Sequence, residues 1–145
     1  LKTNIMRTLA LIITFFLSTF MSQAQTESKG QTIQVTINNI KNNNGKVMMS
    51  LHSADTFMKT NGLQSVESKI EENKVIITFK NVMPGEYAIM CVHDENDNNQ
   101  MDFELNGMPK ENYGVSNNPM SYGPPQFSEA KFSLSNENID MIIRF

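Results

Sequence analysis

Residues 93–118 read HDENDNNQMDFELNGMPKENYGVSNN, and the chain concentrates its polar chemistry there. No Lys or Arg occurs over residues 81–109, while Asp94, Glu95, Asp97, Asp102 and Glu104 place five carboxylates within eleven residues. Like charges this dense repel one another, and a hard cation relieves them. Asp94, Asn96, Asn98 and Asp102 stand at offsets 0, 2, 4 and 8, which are positions 1, 3, 5 and 9 of an EF-hand loop. Asn99 takes the sharp-turn position, Met101 the apolar eighth, and the carbonyl of Gln100 would add a ligand. Two departures weaken the match: Asn99 replaces the turn Gly, and position 12 is Leu105, so that Glu104, one residue early, must stand in for the bidentate carboxylate. The set Asp94, Asn96, Asn98, Gln100, Asp102 and Glu104 reads as a weak calcium loop, with a dissociation constant on the order of 10⁻⁴ to 10⁻³ M. The competing reading is a solvated turn, because Asp and Asn favour turns by bonding to their own backbone.

Other constellations are thinner. His52, Cys91 and His93 are the only N and S donors outside the first two dozen residues besides methionine, and zinc wants three or four that converge. Nothing in the spacing ties Ser116 or Ser121 to His93 as a hydrolase triad. Asp94 with Glu104 would serve a glycosidase only at a separation that sequence does not show. His93, Glu111, Tyr113, Ser116, Asn117 and Tyr122 are the candidate contact residues of a binding loop. Nine methionines lie beyond residue 24; they either fill core gaps or make an adaptable surface.

The elements that position these residues begin after an address. Lys2 and Arg7 precede an apolar run over residues 9–21, and Ser22-Gln23-Ala24 puts small residues where a signal peptidase reads. The run is too short to span a bilayer. Cleavage after Ala24 leaves about 120 residues, a linker over 25–31 and one domain over 32–145. Ten Lys and Arg then face fifteen Asp and Glu, a net charge of 10 − 15 = −5, which argues against nucleic acid and against anionic membrane surfaces as partners. The only cysteine, Cys91, has no partner for an internal disulfide and is expected to be a buried thiol.

Period-two alternation predicts the rest. Ile33, Val35 and Ile37 mark one strand; Val47, Met49 and Leu51 mark a second, joined to the first as a hairpin through KNNNG. A loop over 55–62 precedes a weak strand over 63–70. Val75, Ile77 and Phe79 point inward on the next strand. Past the Pro84-Gly85 turn, Tyr87, Ile89 and Cys91 alternate with Ala88, Met90 and Val92, and apolar residues on both faces mark a central strand. Residues 107–125 have no periodicity and read as a long loop. Ala130, Phe132 and Leu134, then Ile139, Met141, Ile143 and Phe145, close the chain. The expected class is all-β: a single antiparallel, Ig-like β-sandwich of about seven strands carrying a long acidic loop.

PGEYAI, HDEN, GMPKENYGVSNN and GPPQFSEAKF, in that order, resemble the secreted bacterial domain of unknown function 2141 family. The Pro-Gly turn before a Tyr-containing strand also resembles transthyretin-like and carboxypeptidase-regulatory-like sandwiches. The resemblance covers about residues 32–145 and implies secretion and a β-sandwich without implying a reaction. Three functions remain open. They are a secreted, non-catalytic binding or accessory module that contacts a protein or glycan, a structural periplasmic or cell-envelope protein with a passive ion-stiffened loop, and an enzyme using His93 with the acidic loop.

Overall fold

The computed structural model describes residues 30–145. The signal-peptide reading, its cleavage point and most of the linker lie outside the described residues. Eight strands follow in order: β1 (Gln31–Ile37), β2 (Lys46–His52), β3 (Gln64–Lys69), β4 (Val75–Val82), β5 (Gly85–Asp94), β6 (Tyr113–Val115), β7 (Phe132–Leu134) and β8 (Ile139–Ile142), with a one-turn helix α1 (Phe127–Ala130) before β7. They form two packed sheets, one ordered β4-β1-β8 and the other β3-β2-β5-β6, with β7 on β5.

Alternation drives this arrangement. Ile33, Val35 and Ile37 of β1 and Val75, Ile77 and Phe79 of β4 turn one buried row toward Val47, Met49 and Leu51 of β2 and Ile89 and Cys91 of β5. Burying these rows is the main favourable term, at roughly 1.5–3 kcal/mol for each large side chain. As expected, β5 is central, paired with β2 on one side and with β6 and β7 on the other. Its second face is apolar for a reason: Ala88 packs with Phe57, Val115, Ala130, Met90 and Phe127 in a smaller cluster outside the sandwich. Burial pushes the Cys91 thiol well above its ordinary range, so it is inert.

Four expectations change. β1 and β2 are not a hairpin: β1 pairs with β4 and β8, β2 with β3 and β5, and residues 38–45 cross from one sheet to the other. Alternation tells which face of a strand is buried, and two such faces satisfy each other across a core as well as side by side. Gly114 lets β6 form inside the stretch read as a long loop, because a Cβ there would strike the Arg144 carbonyl and Ile143. Ala130 ends a helical turn and does not begin a strand. One pairing, β1 with β8, is parallel.

Ile89 has no exposed surface, so Ile89→Asp buries an unpaired charge in the central strand and is expected to abolish folding. Two residues before Ala88, Glu86 makes an exposed ion pair with Lys131 at 3.0 Å, a kind that contributes about 0–1 kcal/mol. Glu86→Gln should leave the thermal midpoint within a few degrees of wild type, with circular dichroism as the check on both variants.

Candidate functional site

The acidic loop hangs from the end of β5, where Asp94 is fully buried. Its Oδ1 accepts the N–H of Asn98 at 3.0 Å and its Oδ2 the N–H of Asn99 at 2.9 Å. Asn96 Oδ1 accepts the same Asn98 N–H at 3.1 Å, and Asn98 Oδ1 accepts that of Gln100 at 2.9 Å. These successive side-chain turns wind the backbone inward, with Asp97 (φ 59°) and Asn99 (φ 64°) in the left-handed region that Asn and Asp tolerate. On the far side, Nδ2 of Asn96 and Nδ2 of Asn98 both donate to Asp102 Oδ2, at 2.7 and 3.0 Å. Positions 1, 3, 5 and 9 are thereby brought together. Gln100 is held by its backbone N–H, the donor to Asn98 Oδ1. Glu104 does not enter: it is exposed in a separate turn, its N–H donating to Met108 O and its carbonyl accepting from Gly107.

Two further residues hold the loop, and sequence reasoning assigned neither this role. Glu111, buried, accepts the N–H of Glu95 through Oε1 at 3.1 Å and that of Asp102 through Oε2 at 3.2 Å. It clasps both ends of the loop. Lys46, on the neighbouring strand, reaches Asn99 Oδ1 at 2.6 Å and ion-pairs with Glu67 at 2.9 Å and Asp97 at 3.1 Å. Glu67, and after it Asp97, hold the Lys46 ammonium above its ordinary pKa. Among the described residues the acidic run therefore has one Lys or Arg partner, invisible in local sequence because it arrives from β2. It answers Asp97; among the described residues no Lys or Arg pairs with Asp94 or Asp102. Also among the described residues, no three His, Cys, Asp or Glu side chains gather as a metal group, so a cation here would rely on the Asn oxygens beside two carboxylates.

The contact residues scatter. His93 is fully buried, its Nε2–H donating to Asn44 O at 2.9 Å and its ring stacked on Phe145, while Nδ1 lies without a hydrogen bond 3.7 Å from Glu95. Ser116, also fully buried, accepts the Ile89 N–H and donates to Ala130 O, so its hydroxyl completes the ladder beside β5. Asn117 Nδ2 ties down the carbonyls of Glu129 and Lys131. Tyr113 sits in β6, and Tyr122 alone stands fully in solvent. Because β6 runs back along β5, the long loop is two loops: 95–112 beyond the end of β5, and 116–126 starting beside Ile89.

The family model described as an uncharacterized protein conserved in bacteria, the domain of unknown function 2141, matches residues 35–142. The chain belongs to this family. The match spans both sheets and the acidic loop of the 2141 domain. No curated protein and no solved structure matches it.

Glu111→Gln turns an N–H₂ toward a backbone donor and should cost roughly 1.5–3 kcal/mol, the range for hydrogen bonds to a charged group. Amide exchange checks it: protection should fall at Glu95 and Asp102 while that of Ile89 in β5 follows only the global loss of stability.

Proposed function

We propose that the chain is a secreted, non-catalytic binding or accessory module whose loop 95–112 holds a weakly bound calcium ion and contacts a protein or glycan. One observation carries the ion: Asp94, Asn96, Asn98 and Asp102 surround one turn of chain, and two amide N–H groups already converge on a single Asp102 oxygen, where positive charge is drawn. A cation bound there would face two carboxylates that lack a basic partner. Asp94 also ends the central strand, which is paired on both sides, so the mount is rigid. Phe103, Leu105 and Met108 are exposed on the same loop, and exposed apolar side chains on a rigidly mounted loop suit contact with another molecule. His93, with no accessible surface, offers a substrate nothing to meet, which favours binding over catalysis. The passive alternative, a loop stiffened without partner contact, draws on the same Asp94 geometry and is favoured by the two backbone amides that already occupy its oxygens.

Calcium at about ten times its dissociation constant should stabilise the fold by roughly 1.4 kcal/mol, raising the melting temperature by about 5 °C. Thermal melts in chelator and in millimolar calcium check this, with Asp102→Ala expected to show no difference between buffers. Equal wild-type midpoints together with no calorimetric heat on adding calcium would leave a solvated turn.

A further inference from the structure

The outer face of the β3-β2-β5 sheet carries a trough that reaches Glu67 and Asn99 at one end and His52 and Met58 at the other. Ser50, at the centre of β2, faces Met90 of β5 and Ser65 of β3 across the sheet. Two serines leave a depression, and larger side chains stand around it. Met90 is diagonal to both Met48, which pairs with Val92, and His52, which pairs with Ala88; diagonal neighbours are within reach of long side chains. The turn over residues 53–62 closes one side and brings Met58. His52, Met58, Met90 and Ser50 line an open cavity of about 350 Å³, continuous through Ser50, Ser65 and Met90 with one of about 490 Å³ that includes Met48.

His52 is prepared as a ligand. Thr56 Oγ1 donates to Ser53 O and accepts the Ser53 N–H, so its remaining lone pair meets His52 Nδ1 at 3.3 Å as an acceptor. On this ground we assign the ring proton to Nδ1, which leaves on Nε2 a lone pair that accepts from the Ser50 hydroxyl at 2.9 Å. A metal-bound imidazole needs this arrangement: one nitrogen free to bind, the other held by a hydrogen bond that fixes tautomer and orientation. Burial lowers the pKa of His52, against a smaller opposing effect of Thr56, and keeps the ring neutral. Met58 adds an independent sign. Its φ is 56°, a left-handed conformation that is unusual for a long side chain and accumulates at functional sites, yet the strained residue is half exposed over the trough and contributes nothing to a core.

We propose that His52 Nε2 with the thioethers of Met58 and Met90, and Met48 at the margin, forms a binding site for a soft monovalent ion, Cu(I). Thioether and imidazole are soft and neutral donors. Thioethers select Cu(I) among biological metals, whereas Ca²⁺ and Mg²⁺ require oxygen. Zinc and divalent copper favour imidazole, thiolate and oxygen donors, and a set with two thioethers to one imidazole suits them poorly. Ser50 must turn its hydroxyl away for the ion to reach Nε2, a single rotation about one bond.

Anaerobic titration with Cu(I) in competition with a chromogenic Cu(I) chelator tests the site on the whole protein, and Ag(I) with ¹³C-methyl methionine spectra locates the sulfurs. One ion per chain is expected. Met58→Leu and Met90→Leu, which keep volume and lose sulfur, should each weaken binding at least tenfold while melting near wild type. Ser50→Ala should bind as tightly or more tightly. Met120→Leu, exposed elsewhere, should bind as wild type does. If His52→Gln fails to fold, the two methionine variants still decide the matter. No Cu(I) withdrawn from the chelator, unchanged affinity in the Met58→Leu/Met90→Leu double variant, or Ag(I) shifts confined to Met108 and Met120 would overturn the site.

Discussion

A carboxylate with no exposed surface has to have its charge answered by nearby dipoles, and at Asp94 the answer comes from the backbone amides of Asn98 and Asn99. An uncompensated charge at that depth would cost many kcal/mol, so the chain beyond β5 must curl back at once to deliver those amides. The curl sets the positions of Asn96, Asn98 and Asp102, and Glu111 repeats the device from outside by holding two more amides. Gly45 shows how tight the arrangement is: it lies at φ 61°, and a Cβ there would run into the Asp94 carbonyl. The start of β2, the end of β5 and the loop thus form one mechanical unit, held by dipoles and by Lys46.

The two faces of the β5 sheet have been given different tasks. Toward the sandwich it is dry and aliphatic. Away from it, Phe57 and Phe127 cover only part of the surface, in edge-to-face contact at 5.8 Å, and the uncovered remainder is the methionine trough. One pair of strands, β2 and β5, therefore carries both the polar loop at its end and the soft side chains on its back.

How much of this was legible in the sequence follows from what each signal can encode. Alternation in VTI, VMMSL and VIITF reports which residues are buried, and the buried rows came out as read. It is silent about partners, which is why β1 and β2 could be taken for a hairpin when they belong to opposite sheets. The three residues of β6 are too few for periodicity, and only the close approach of the C-terminal segment to Gly114 explains the glycine. In the loop, the Asx spacing at 94, 96, 98 and 102 was readable because local hydrogen bonds follow local spacing. Lys46 and Glu111 were not, since they reach it through the fold: Lys46 is 53 residues from Asn99. The lone pair on His52 likewise depends on Thr56, whose role appears only once the turn after β2 is formed.

The parallel pairing of β1 with β8 sets the order in which the protein can be completed. Thr32 bonds Asn138 across 106 residues, and Ile33, Val35 and Thr36, already paired with β4 on one side, find their second sheet partners on β8 only when both ends of the domain meet. β1 keeps one bare edge until then. Contacts at such separation demand a large loop closure before they repay it, and folding rates fall accordingly. The domain should behave as a slow, late-closing folder in which the second edge of β1 is covered last, a kinetic window in which that bare edge is open to pairing with another strand before the sheet is complete.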